Sequence, residues 1–187
     1  MTTSTATQVA KSTWRLDPAH SSIEFAVKHM MMTTVRGRFK QFRGTLKADE
    51  VLPQACGVEV EIEAASIDTG STDRDAHLSS ADFFDPGQYP KITFVSRMAE
   101  GEFSKEGDRF RVPGELTIRD TTIPVVLECI YEGRGSDPWG KDRAGFSCSA
   151  EIDRREWGLK WNQAMETGGV LVANKVRIEA EVQFVKD

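Results

Sequence analysis

Residues that carry chemistry are scarce in this chain. Three histidines, His20, His29 and His77, are spaced so that no two share a strand or helix face, and they offer no chelating pair. Three cysteines, Cys56, Cys129 and Cys148, form no C-x-x-C motif, so neither a zinc knuckle nor a redox dithiol is expected. Their odd count, and the apolar neighbours in step with Cys129 and Cys148, point to buried free thiols in a reducing compartment. There is no G-x-S-x-G, H-E-x-x-H, Walker loop or strand-linked G-x-G-x-x-G, and no catalytic residue, metal or cofactor is expected. Positive charge is in deficit: 24 Lys and Arg against 29 Asp and Glu leave a formal net charge of −5. Nucleic-acid binding needs a clustered cationic face, which this balance does not supply. It gives no electrostatic hold on anionic lipid either. No apolar run approaches the roughly 20 residues of a membrane span, so stable membrane insertion is not expected. Residues 1–12 are rich in Thr, Ser and Ala and lack the basic and apolar regions of a secretory signal. They read as a disordered tail on a cytoplasmic protein, leaving 13–187 as a single domain.

What the chain does have is alternation. Val176, Ile178, Ala180, Val182 and Phe184 alternate with Lys175, Arg177, Glu179, Glu181 and Gln183. Val58, Val60, Ile62 and Ala64 alternate with Glu59, Glu61 and Glu63 in the same way. A β-strand turns that spelling into one oily face and one wet face, because successive side chains point to opposite sides. Eight strands are expected, over about Ser22–His29, Arg36–Ala48, Gly57–Ser66, Lys91–Met98, Arg109–Arg119, Ile123–Glu132, Arg143–Asp153 and Lys175–Val185, with an extended piece near Trp14–Leu16. Short connections such as Glu106-Gly107-Asp108 favour antiparallel hairpins. Such strands close into a sandwich or a barrel, and an eight-stranded barrel is wide enough to be filled by side chains or to hold one small ligand. Ten-residue strands at roughly 3.3 Å rise and ~40° tilt would make its interior ~25 Å tall.

Three connections are long, and loops of that length are usually functional. His29 to Val35 holds Met30, Met31 and Met32, with room for one helical turn. Ser71 to Leu78 reads as a short helix with an N-cap. Arg154 to Asn174 carries Trp157, Trp161 and Gly168-Gly169. Arg74, Asp75 and His77 read as a polar network that fixes a loop. The self-neutralising run Asp153-Arg154-Arg155-Glu156 reads as an anchor for a strand end, against a phosphate contact through its arginines. Phe25, Phe39, Phe42, Phe94, Phe146 and Phe184 fall within strands, which fits either a packed core or an apolar cavity whose mouth carries aromatic and Met side chains.

Several ordered blocks carry a family likeness. Leu16-Asp17-Pro18-Ala19-His20-Ser21-Ser22-Ile23-Glu24-Phe25 with Val27-Lys28-His29-Met30-Met31 resembles the opening of the YceI-like family. Arg74-Asp75-Ala76-His77-Leu78, Asp82-Phe83-Phe84-Asp85 and Tyr89-Pro90-Lys91-Ile92-Thr93-Phe94 resemble its central signature. Gly114-Glu115-Leu116-Thr117-Ile118, and Arg154-Arg155-Glu156-Trp157-Gly158-Leu159 with Trp161-Asn162, resemble later blocks. The likeness spans about Trp14 to Val185. It implies an extended, lipocalin-like, eight-stranded antiparallel β-barrel that binds a long isoprenoid chain, either a polyprenyl lipid or an isoprenoid quinone, as carrier, store or sensor. It departs from the family at Arg119-Asp120-Thr121-Thr122, where relatives often have a small glycine-containing turn.

On this reading Phe25, Val27, Phe39, Val60, Ile62, Phe94, Ile118, Phe146, Trp157, Trp161 and Ile178 line the lumen. Arg36, Arg38, His77 and Arg155 are candidates for the head group at the mouth. Two rivals stand beside it: an enzyme acting on a lipid or quinone through Arg74, Asp75 and His77, and a filled barrel serving as a protein interaction module. Edge strands and the habit of the family are compatible with a homodimer.

Overall fold

Paired strands convert the alternation into a wall with two faces. The computed structural model describes residues 11–49, 55–166 and 168–187. Strand β11 (Val172–Lys186) runs antiparallel to β10 (Asp142–Asp153). In their register Phe146 faces Val182, Cys148 faces Ala180 and Ala150 faces Ile178, while Ser147 faces Glu181 and Ser149 faces Glu179 on the other side. Residues directly opposite share a face, so one side of this pair is apolar and the other polar.

The same pattern continues around the sheet. From β10 the hydrogen-bonded order passes through β9 (Thr121–Ser136), β8 (Arg109–Ile118), β7 (Lys91–Ser96), β5 (Gly57–Glu63), β4 (Phe42–Asp49) and β1 (Lys11–Leu16). Trp14 opposite Lys186 and Leu16 opposite Phe184 then join β1 to β11 and close the barrel. The upper part of β11 pairs instead with β2 (Ser22–His29), which pairs with β3 (Thr33–Phe39) and through it with β6 (Ile67–Asp68). Thus β1 with β2, β3 with β4, and β5 with β6 are three wall paths, each broken midway. Together with β7 to β11 they make an eight-stranded antiparallel barrel.

Each break has a local cause. Pro18 interrupts the first path, and the Asp17 carboxylate accepts from Ala19 N at 3.0 Å to cap the short turn Pro18–His20. The second and third breaks lie side by side. Buried Ser66 accepts from Gln41 N at 3.1 Å and donates to Glu63 O at 2.7 Å, tying the two together. The expected strand Arg36–Ala48 is therefore two strands, and Gly57–Ser66 ends at Glu63 before a 3-10 turn, Ala64–Ser66. The strand expected over Ile123–Glu132 extends to Thr121–Ser136.

Other expectations shift as well. Lys11 and Ser12, expected in a disordered tail, belong to β1; the rest of that expectation, residues 1–10, lies outside the described residues. Met30–Met32 form a hairpin turn in place of a helical one: Met30 and Met31 take left-handed φ values of 51° and 58°. Helix α1 (Thr72–Leu78) forms as expected with Ser71 at its N-cap. Arg119 takes φ 57° at the β8–β9 turn, a conformation glycine adopts freely, and its guanidinium stacks over the Tyr89 ring at 5.0 Å. Cys129 and Cys148 sit opposite each other on β9 and β10 and are joined as a disulfide, leaving Cys56 free. With two thiols paired, the cysteine count no longer argues for a reducing compartment. Among the described residues no helix is long and apolar enough to cross a membrane.

Candidate functional site

The barrel interior is not filled. A continuous cavity of about 710 Å³ runs through it, within the range of pockets that enclose small ligands. Strand parity decides which side chains reach it. Phe25 and Val27 of β2, Phe39 of β3, Val60 and Ile62 of β5, Phe94 of β7, Ile118 of β8, Phe146 of β10 and Ile178 of β11 all border the cavity, as does Trp161 from the long loop after β10. Aromatic neighbours form chains along the wall: Phe25 with Phe39, Phe39 with Phe84, Phe110 with Phe146, and Phe146 with Phe184, all between 5.8 and 6.2 Å.

One expected lining residue is elsewhere. Trp157 is 1% exposed and does not border the cavity; its indole N–H donates to Leu116 O at 3.0 Å. It sits in the 3-10 turn Arg154–Trp157, off the alternating register of a strand, so parity could not place it.

At one end of the cavity α1 meets the loop after β10. His77 borders the cavity there, edge-on to Phe83 at 5.1 Å and to Trp161 at 4.5 Å, with Nε2 3.2 Å from Asp82 Oδ2. Arg74 also borders it, but donates from Nε to Thr69 Oγ1 at 2.7 Å and from Nη2 to Thr69 O at 2.8 Å. Asp75 accepts from Thr69 N at 2.9 Å and from its hydroxyl at 2.5 Å. The Arg74, Asp75 and His77 cluster is therefore divided: two members clamp Thr69, while the third pairs with Asp82.

Of the other head-group candidates none faces the lumen. Val35, Gly37 and Phe39 occupy inward positions of β3, so Arg36 and Arg38 project outward. There they meet Glu179 at 3.0 Å and Asp68 at 3.3 Å. Arg155 also faces out, and its guanidinium donates from Nη2 to Asp153 at 2.5 Å. That contact holds the Asp153 carboxyl down to about 2.

Sequence reasoning missed the neighbouring Arg154. It is 4% exposed, borders the cavity, and donates to four carbonyls: Ala173 at 2.9 Å, Leu159 at 2.5 Å, Trp161 at 2.9 Å and Val172 at 3.4 Å. Burial pulls its pKa down. Its role is to bind the loop after β10 across the end of the barrel. Asn162 assists, donating to Val172 O at 2.7 Å and accepting from Val172 N at 3.1 Å. Nothing in the run of four charges distinguished Arg154 from Arg155.

The opposite end bears the β9–β10 hairpin. Trp14, Phe103, Tyr131 and Arg134 reach the cavity there, with Ser12, Asp49, Cys56 and Ser104 among the polar groups. Arg134 stacks over Trp14 at 4.9 Å. Burial raises the pKa of both the Tyr131 phenol and the Cys56 thiol. Among the described residues no three His, Cys, Asp or Glu side chains converge as a metal site.

Comparison with known proteins gives a consistent pattern. The model of the YceI-like domain matches residues 14–184. Protein YceI of Escherichia coli is 40% identical over 141 residues, covering 75% of this chain and 72% of the relative. The crystal structure of Burkholderia cenocepacia BcnA superposes with a TM-score of 0.76 at 24% identity, covering 90% of this chain and 98% of that one. A polyisoprenoid binding domain from Saccharophagus degradans, implicated in plant cell wall breakdown, shares the fold with a TM-score of 0.69 at 13% identity, over 96% of this chain and all of that one, 100%.

Proposed function

This chain belongs to the YceI-like family, and from that premise we propose that it binds a long isoprenoid lipid, a polyprenyl lipid or an isoprenoid quinone, inside its barrel as carrier, store or sensor. The observation that carries the reading is the continuous cavity of about 710 Å³, walled mainly by Phe, Val, Ile and Leu side chains, with its polar residues in the minority. An apolar chain drawn into such a lumen leaves water along its whole length. At ~0.8 kcal/mol per CH₂, some twelve to fifteen buried carbons supply roughly 10 kcal/mol before the costs of ordering and association. The polyisoprenoid-binding domain that shares this fold supports an isoprenoid occupant.

The polar head would rest at the α1 end. His77 stands there between Phe83 and Trp161, bordering the lumen and partly open to solvent. A ring nitrogen at that place offers one directed hydrogen bond to a hydroxyl or carbonyl oxygen. Arg74, engaged with Thr69, adds positive charge nearby. Turnover is not favoured, since the Arg74, Asp75 and His77 side chains do not converge on one point.

The test is to purify the protein under mild conditions from its own host, extract with organic solvent, and analyse the extract by mass spectrometry. A polyprenyl or quinone species in one-to-one ratio is expected. An empty extract, together with no thermal shift on adding such lipids, would overturn the proposal in favour of an interaction module.

A further inference from the structure

Two rings of the lumen wall rest with their tips against glycines. Gly37 is directly opposite Phe25 in the β2–β3 register and falls between Val35 and Phe39, so it shares their inward face. A Cβ at position 37 would stand 2.3 Å from Phe25 Cζ and 2.7 Å from Cε1, closer than any real contact. The ring therefore occupies the space a side chain would take. Phe94 does the same over Gly114, where a Cβ would stand 2.4 Å from its Cζ and 2.7 Å from its Cε2. Phe25 and Phe94 border the cavity whereas the two glycines beneath them do not, as expected if the rings cover them.

We propose that Gly37 and Gly114, through the recessed rings of Phe25 and Phe94, set the bore of the lumen and so select a methyl-branched chain over a straight one. The inference rests on the isoprenoid reading above and adds to it the residues that discriminate chain type. An isoprenoid carries a methyl branch on every repeat and is wider than an unbranched chain of equal carbon count. Rings seated over glycine leave that width free. A Cβ beneath either ring would lift it into the lumen, and close-packed surroundings cannot absorb the displacement without loss of bore.

Position 37 is the better place to test this. The three nearest atoms to its absent Cβ all belong to side chains, Phe25 and the Thr69 methyl, whereas at 114 the Val95 carbonyl oxygen lies 2.7 Å away and the backbone itself would have to move. The experiment measures binding of a polyprenyl alcohol and an unbranched alcohol of equal carbon number to the full chain, read by tryptophan fluorescence. Wild-type protein is expected to prefer the branched chain. Gly37→Ala is expected to weaken branched-chain binding by about tenfold or more, while the straight chain changes less than about threefold. The double variant Gly37→Ala/Phe25→Ala removes the displaced ring and restores branched-chain binding. Phe25→Trp, which adds ring bulk with Gly37 intact, is expected to impose the same selective loss and stands in if Gly37→Ala does not fold.

Equal loss for both chains, no loss for either, or failure of the double variant to restore binding would overturn the inference. So would a wild type that binds both chains equally, although lipid binding itself would then stand. A wild type that binds neither chain would sink the isoprenoid reading and this inference with it.

Discussion

Along β10 and β11 the outer face of the wall carries Lys175 with Glu151 at 2.6 Å and Arg177 with Glu179 at 2.9 Å, while the inner face carries Phe146, Cys148, Ile178 and Ala180 around open space. The two faces share one backbone and one set of hydrogen bonds. Outside, each long side chain finds an opposite charge in water, where such a pair is worth only a few tenths of a kcal/mol to about 1. Inside, apolar side chains stop short of filling the lumen, so part of the stabilisation that burial would give is left for a ligand. Arg154 and Arg155 repeat the contrast in adjacent residues: one is buried and held by carbonyls, the other exposed and held by a carboxylate. Position on the wall, not residue type, decides what a side chain contributes.

The largest test of that contrast is Trp157, packed tightly just outside the cavity. Trp157→Ala is expected to destabilise by about 3–5 kcal/mol, read from the midpoint of urea denaturation. A loss below about 1 kcal/mol would mean that this end is no better packed than the lumen.

Next comes the arginine pair. Arg154→Met strips four carbonyls of their donor and is expected to cost about 2–4 kcal/mol, with faster amide exchange at Val172. Arg155→Met is expected to move the denaturation midpoint far less, because its ion pair is screened by solvent. Equal losses would erase the distinction between the buried and exposed members.

Acid supplies a third. Asp153 titrates near 2 when folded against an ordinary 3.8, held there chiefly by Arg155. Asp17 is lowered too, chiefly by its hydrogen bond from Arg143. Because these folded values lie below the unfolded ones, the stability they confer is complete above about pH 5 and lost as pH falls toward 2. Denaturation midpoints should therefore decline through that window, and Arg155→Ala should flatten the decline. An unchanged slope would show that this pair contributes nothing.

The smallest effect is expected on the outer wall, where Lys175→Ala should leave the denaturation midpoint almost unchanged, and any shift should shrink further in salt.

How much of this was legible beforehand varied with local order. In β11, Val176 to Phe184 showed its inward face by period alone, and the same parity brought Phe25, Val60, Phe94 and Ile178 to the lumen. Parity also assigns Arg36 and Arg38 to the outside once Phe39 is inward; placing them at the mouth gave charge priority over register. The breaks at Lys40-Gln41 and Ala64–Ser66 were harder to see, because Ser66 ties them together through a hydrogen bond from Gln41, which is distant in sequence. Arg154 was harder still: its carbonyl partners lie on the loop after it and at the start of β11, and nothing in Asp153-Arg154-Arg155-Glu156 shows which arginine these will cover. The Cys129–Cys148 pairing depends on the β9–β10 register, which no count of cysteines contains.

The sequence by itself determined that this chain is a sheet with one apolar face, because a two-residue period has only one structural solution. Local turn chemistry at Ser71 likewise placed α1. Only the tertiary structure decided that the apolar face would enclose a cavity and not a packed core. That outcome depends on where rings come to rest: Phe25 over Gly37 and Phe94 over Gly114 are contacts between strands, and a strand's sequence specifies the face of a side chain but not the depth of the space before it.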